Sequence, residues 1–411
     1  MPPISLEALD ELLVSQDFME DPYPILRRLR EEDPVHWSDS IGGWILTRYD
    51  DMVTTFKDTG HYSNEGRLAK AVEYLPAESR AKFKPLEDYF RLKSLIHSDP
   101  PVHTRLRGLI TKAFTPRVVE SMRPRMQAIV SELLDAVQQD GRMDVIKDLA
   151  IPLPVTVLAE IFGVPKSDVG LFKAWADGTL AFQGVNKPAP ELLERSQTAI
   201  LEIRAYMGEL IKEKRRQPGK DLLSELVAAE SEGDKLSELE LRNSCVTLLV
   251  AGHETTTSLI GNGLYTLLRH PDQWHLLQDD PSLLTSAIEE MLRYESPVAR
   301  QPRLLKQDAE MGGKQMRQGE MVFQMLNAAN RDPAYFTDPD RFDIRRDKNR
   351  HIAFGLGIHF CVGAGLARTE GQIVFSTVIE RLPNIRLVEA TPNWDLQKPN
   401  SRMLKTLPVL F

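Results

Sequence analysis

Apolar residues recur every three or four positions between residues 117 and 235. Leu133, Leu134 and Val137, then Val157, Leu158, Ile161 and Phe162, then Ile203, Met207, Leu210 and Ile211 each trace one face of a helix. Gly141, Pro165, Pro188 and the Pro218-Gly219 pair punctuate the run, which predicts several helices packed through apolar stripes. Ser237-Glu238-Leu239-Glu240 reads as a capping box, a serine and a glutamate three residues on that satisfy the free amides of a first turn. It predicts a long helix running to His270-Pro271. Upstream, Asp21-Pro22-Tyr23-Pro24 opens a shorter helix through Ile25, Leu26 and Leu29, and Asp33-Pro34 stops it. β-Branched and aromatic residues at Val35 to Trp37 and Trp44 to Thr47, either side of Gly42-Gly43, and at Met321-Val322-Phe323 predict short strands. Residues 60 to 95 lack a clean period and read as a long, partly helical loop; Phe172 to Lys187 is also irregular and aromatic. The pattern predicts a mainly α fold with small β-sheets. No Gly/Ser linker, low-complexity tract or repeat divides it, so residues 1–411 read as a single domain.

Composition narrows the function class. A hydrophobic content of 42% with 27% charged residues is ordinary for a chain with a sizeable core. The net charge of −8, from 59 acids against 51 bases, argues against non-specific nucleic-acid binding. Met1 to Phe18 is mixed polar, unlike a signal peptide or anchor, and apolar runs such as Leu248 to Ala251 fall far short of the ~20 residues that span a bilayer. Two distant cysteines give no disulfide framework and suit a reducing cytoplasm, so the expectation is a cytoplasmic protein with no membrane attachment. Cys245, on the apolar long helix, reads as core.

The other cysteine lies in Phe354-Gly355-Leu356-Gly357-Ile358-His359-Phe360-Cys361-Val362-Gly363. Glycines there permit positive-φ turns and a close approach to a flat ligand, with the sulfur projecting from a rigid loop where a thiolate could bind a metal. The stretch resembles the haem-binding signature of the cytochrome P-450 (haem-thiolate) family. A second unusual stretch, Ala251-Gly252-His253-Glu254-Thr255-Thr256-Thr257, sits mid-way along the long apolar helix. A carboxylate, an imidazole and three β-branched hydroxyls form helix poorly and are costly to bury without partners. Gly252 would let a ligand lie against the helix, and Thr255 can draw away a backbone carbonyl or bind water. Ala251-Gly252-x-Glu254-Thr255-Thr256 resembles the oxygen-activation motif of the same family.

The resemblance covers essentially the whole chain and implies a cytochrome P-450 fold with a single haem-binding domain carrying haem b (iron protoporphyrin IX). Cys361 would be the axial iron ligand, deprotonated and electron-donating, the ligation that favours O–O cleavage. His103 and Arg107, four apart on a helix after Pro100-Pro101, share a face and with Arg303 and His359 would meet the haem propionates. Phe354, Ala251 and Gly252 complete the expected cofactor contacts. Thr255 would hydrogen-bond O2 and its waters while Glu254 relays protons. Glu290 and Arg293 would join Arg341 in a buried network behind the thiolate loop. Arg300 is read as facing solvent or a propionate, with an anionic substrate the alternative. Two residues depart from the family: Met403 replaces the glycine common after Arg402, and Gly365 replaces a frequent proline.

The implied activity is monooxygenation: one oxygen atom from O2 enters a lipophilic small molecule by hydroxylation or epoxidation. No flavin or nicotinamide signature is present, so a ferredoxin or flavodoxin-type electron donor with its reductase would supply electrons. The basic run Arg345 to His351 and Arg368 would face that partner. A monomer is expected. A peroxide-dependent haem-thiolate enzyme or isomerase, and a haem sensor or carrier, are the rivals; Glu254-Thr255 counts against both.

Overall fold

A computed structural model describes residues 5–229 and 236–411. Residues 1–4 and 230–235, the ends of two stretches read from the sequence, lie outside the described residues. The main sheet has five strands, β1 (Val35–Ser38), β2 (Gly43–Leu46), β3 (Tyr62–Ser63), β4 (Arg300–Leu305) and β5 (Met321–Met325), in the order β1-β2-β5-β4-β3. β1 and β2 form the expected hairpin, with Val35 opposite Leu46. β2 then runs parallel to β5, and β4 antiparallel to it with Arg303 opposite Val322. A Cβ on Gly43 would lie 2.6 Å from the Met321 carbonyl oxygen, so only glycine permits that approach. One hydrophobic cluster joins this sheet to the N-terminal helices, and a larger one fills the helical body.

The helices that position the site are α1 (Tyr49–Lys57), α2 (Val102–Ala113), α3 (Arg123–Gln138), α4 (Pro152–Ile161), α5 (Val169–Thr179), α6 (Pro190–Arg216), α7 (Glu238–Arg269), α8 (Leu284–Tyr294) and α9 (Ala364–Arg381). The capping box is formed: Ser237 accepts from the Glu240 amide and the Glu240 carboxylate accepts from the Ser237 amide. From there α7 runs 32 residues, about 48 Å, through the centre of the molecule, packed on α4, α5, α6, α8 and α9. The expected mainly helical class with small sheets is what the chain adopts.

Two segments are more regular than their sequences suggest. Residues 60–95 hold β3, a turn of 3-10 helix at Ala69–Val72 and the helices Ala77–Lys82 and Lys84–Arg91. Their aromatic residues Phe83, Tyr89 and Phe90 are buried, so tertiary packing replaces the missing periodicity. Likewise Phe172 and Trp175 lie inward on α5, where an irregular stretch was expected, and only residues beyond Thr179 leave the helix. The Gly365 departure is without local effect, because α9 already starts at Ala364 after Gly363. At Met403 the short pair Asn393–Trp394 and Leu404–Thr406 forms with a register shift.

Candidate active site

The Cys361 loop is held from its own backbone and from α1. Gly355 and Gly357 take φ +69° and +68°, the left-handed region glycine favours, whereas Gly363 at φ −84° serves as the N-cap of α9. The Cys361 amide donates to the Phe354 carbonyl at 2.9 Å, closing the loop, and the Phe354 ring lies under the Arg368 guanidinium at 4.5 Å. Gly357 passes so close to α1 that a Cβ would sit 2.7 Å from the Phe56 carbonyl oxygen. Cys361 retains accessible surface although protein surrounds it, so its thiol borders an internal space. Burial pushes the thiol pKa up, against the Gly363 and Ala364 amides and the Arg107 and Arg368 guanidiniums, which favour the thiolate.

A cationic wall faces the same space. His103 is buried on α2 with both ring nitrogens unpaired, and its ring lies 4.2 Å from that of His359. Arg107, one turn on, is half-buried and within electrostatic range of Cys361. Arg303 on β4 is buried, donates to Asn64 Oδ1 at 2.6 Å and stacks over Phe56. Arg67, which the sequence reading missed, is buried beside Arg303 with an unpaired Nε and an Nη1 bond to the Pro302 carbonyl at 3.1 Å. Burial and their mutual repulsion pull the cationic forms down: Arg303 to about 9 and His359 to about 2, the latter by burial first and then by His103, Arg303, Arg67 and Arg107. Asp99 is the acid among the groups acting on Arg67, His103 and Arg303. It is already held by Ser63, the Asn64 amide and Lys306. The unpaired Arg67 Nε–H and the unpaired His103 ring, set beside the guanidiniums of Arg107 and Arg303, call for an anionic ligand. The two carboxylates of a haem would fit that donor set, with Cys361 free to supply a thiolate ligand to its iron.

On α7 the stripe Leu248, Ala251, Gly252 and Thr255 keeps accessible surface while the residues between are buried. Helices pack around α7, so this surface faces the interior. Four consecutive hydroxyls bond back one turn: Thr255 to the Ala251 carbonyl at 3.0 Å, Thr256 to Gly252 at 3.2 Å, Thr257 to His253 at 3.0 Å and Ser258 to Glu254 at 2.9 Å. Gly252 differs from expectation: a Cβ there would point at Leu158 of α4, 3.0 Å from its Cδ1, so its missing side chain admits a neighbouring helix rather than a ligand. Glu254 projects away from Thr255 into a cleft of about 640 Å³ lined by Asp177, His253 and Lys398.

The network behind the thiolate loop also has a different third member. Glu290 and Arg293 pair at 2.7 Å, both fully buried, and the arginine that joins them is Arg346, at 3.0 Å. Arg341 is exposed and offers only its carbonyl, to Arg293 and Arg346. Arg300 faces neither solvent nor a carboxylate: it is buried, bonded to Asn400 Oδ1 at 3.0 Å and the Gly184 carbonyl at 2.7 Å.

A cytochrome P450 family model matches residues 170–408. The chain belongs to the cytochrome P450 family. Cytochrome P450 107B1 of Saccharopolyspora erythraea is 43% identical over 98% of each chain. Among solved structures, P450BioI in complex with a hexadec-9Z-enoic acid ligated acyl carrier protein matches with TM-score 0.88 and 37% identity, covering 97% of this chain and 100% of that one. CYP109E1 from Bacillus megaterium in complex with testosterone matches with TM-score 0.86 and 34% identity, covering 96% and 99%. With a P450 monooxygenase (PikC of Streptomyces venezuelae, 42% identical over 98% of this chain) among its relatives, this P450 is a haem-binding oxidoreductase, a monooxygenase of lipophilic small molecules that draws electrons from a redox partner. Among the described residues no helix is long and apolar enough to cross a membrane.

Proposed function

We propose that Cys361 ligates the iron of haem b and that His103, Arg107, Arg303 and His359, with Arg67 added, hold its propionates. The observation that carries this is the buried cationic wall with unpaired nitrogens beside the one thiol that borders an internal space. When bound, the haem supplies O2 binding and reductive activation; one oxygen atom enters the substrate and the other leaves as water with two protons and two electrons. Thr255 holds a proton at Oγ1 on the pocket side of α7, and Glu254 renews it from the cleft. Ala251 keeps that face shallow, Phe354 anchors the loop through its carbonyl, and Gly252 sets the approach of α4. The substrate is a lipophilic molecule of fatty-acyl or steroid character, as are the ligands bound in the P450BioI and CYP109E1 complexes. Residues 1–411 act as one haem domain, a cytoplasmic monomer reduced by a ferredoxin and its reductase.

The test is the difference spectrum of the reduced protein with and without carbon monoxide. A strongly red-shifted Soret band is expected, and Cys361→Ala should abolish it. An unshifted band in folded protein removes Cys361 as ligand. Thr255→Ala should keep the haem spectrum while diverting reducing equivalents to peroxide; full coupling in that variant removes the proton-delivery role.

A further inference from the structure

Glu254 is 5% exposed, and neither carboxylate oxygen has a hydrogen-bond partner. A buried carboxylate without compensation is costly. Among the described residues its ion-pair partner is Lys398, whose Nζ lies 3.3 Å from Oε1. Lys398 belongs not to the helical body but to the turn between the short strands Asn393–Trp394 and Leu404–Thr406. There its carbonyl accepts from the Ser401 amide at 2.9 Å.

The same ammonium lies 3.7 Å from Asp177 Oδ1 on α5. Asp177 does not depend on it: Lys173 pairs with Oδ2 at 2.7 Å and His253 stands 3.6 Å from Oδ1. Lys398 therefore has two carboxylates within reach, one needing it and one already served. All five groups line the 640 Å³ cleft, together with polar residues such as Asp395 and Lys405. Thr255 follows Glu254 by one residue and so points about 100° round the helix, toward the interior space. A proton collected in the cleft reaches Thr255 only if the carboxylate turns away from Lys398.

We infer that Lys398 is a positioning residue for Glu254, an ammonium that holds the carboxylate toward the cleft and shifts to Asp177 when Glu254 turns to deliver a proton. The inference rests on the proposed relay role of Glu254. The cleft is then the aqueous entry for protons, and the C-terminal hairpin, through one lysine, sets how readily they pass.

The experiment is a double-mutant cycle in the holoprotein: parent, Lys398→Met, Glu254→Gln and the double variant, with Lys398→Arg and Asp177→Asn alongside. Peroxide released per O2 consumed is measured with a ferredoxin, its reductase and a lipophilic compound that shifts the haem spin state, at matched carbon-monoxide-binding haem content. Thermal midpoints are recorded for the same proteins. Expected is a rise in the peroxide fraction in Lys398→Met, no further rise when that change is added to Glu254→Gln, and recovery in Lys398→Arg. Asp177→Asn, which removes the alternative seat, should also raise the peroxide fraction with Lys398 intact. The midpoint should likewise fall less on removing Lys398 when Glu254 is already glutamine. A parent-like peroxide fraction in Lys398→Met, or the same increment in both backgrounds, overturns the inference while leaving the relay in place. An unchanged fraction in Glu254→Gln overturns the relay itself, and the inference with it.

Discussion

Replacing Glu290 by glutamine removes one charge from a carboxylate on which six hydrogen bonds from five nitrogens converge. Arg293 donates through Nε and Nη2 at 2.7 and 2.8 Å, Arg346 Nε lies 3.0 and 3.1 Å from the two oxygens, the Asp343 amide donates at 2.9 Å and Asn349 Nδ2 at 3.0 Å. Glu290 and Arg293 are both at 0% exposure, so solvent cannot replace what is lost. Glutamine turns an amide N–H₂ toward a guanidinium and leaves the buried Arg293 and the partly buried Arg346 short of an anion. Breaking a buried pair from one side costs about 3–5 kcal/mol. At about 2.1 cal/mol/K of unfolding entropy per residue, 411 residues give about 0.86 kcal/mol/K, so the midpoint should fall by about 3.5–6 °C. The damage should reach the haem first, because Arg293 also clamps the Asn330, Pro339 and Arg341 carbonyls of the loops leading to Cys361. Thermal melts of the holoprotein at one scan rate, read by Soret absorbance and far-ultraviolet ellipticity, test both points: the Soret transition should precede the helical one. Arg341→Ala is the control, an exposed side chain whose loss should cost no more than about 0.5 kcal/mol. A midpoint within about 1 °C of the parent in Glu290→Gln, with haem retained, would refute the reasoning.

Two further substitutions probe the same region. Gly357→Ala places a Cβ 2.7 Å from a backbone oxygen at φ +68°, whereas at Gly355, φ +69°, the nearest atom is 3.4 Å away on the Phe56 ring. Gly355→Ala should therefore cost about 1 kcal/mol and Gly357→Ala about 2–3, with faster haem transfer to an apo-globin acceptor only in the second; equal effects would show that φ alone matters. Glu370, buried on α9 with an unpaired Oε2, is pushed by desolvation from 4.5 to about 8. Between those values the folded chain holds a proton that the unfolded chain has released, so stability falls as pH rises toward 8. Glu370→Gln should remove that slope, gaining up to about 4 kcal/mol on the parent between pH 5 and 8 in urea melts; parallel pH profiles would contradict the neutral-acid assignment.

What the sequence made legible follows from range. The Cys361 loop, the capping box and the His103–Arg107 face are each fixed within a few residues by turn or helix geometry, so spacing alone places them. Arg341 against Arg346 shows where this fails: both lie in one basic segment, and the backbone folding over Asp343, whose amide bonds Glu290, turns Arg346 inward and leaves Arg341 to solvent. Gly252 fails differently, since whether a missing Cβ admits a ligand or a neighbour depends on Leu158, 94 residues earlier in the chain. Arg67 and Lys398 had no signal at all. Nothing in their own neighbourhoods marks them, because each gains its role from a group that arrives from elsewhere: Arg67 from Asp99 and the Pro302 carbonyl, Lys398 from Glu254. The two cases have one cause. A buried ionisable group must be compensated, and compensation is set by proximity in the fold rather than in the chain. A local motif therefore announces the group that needs a partner, and the fold supplies which residue answers.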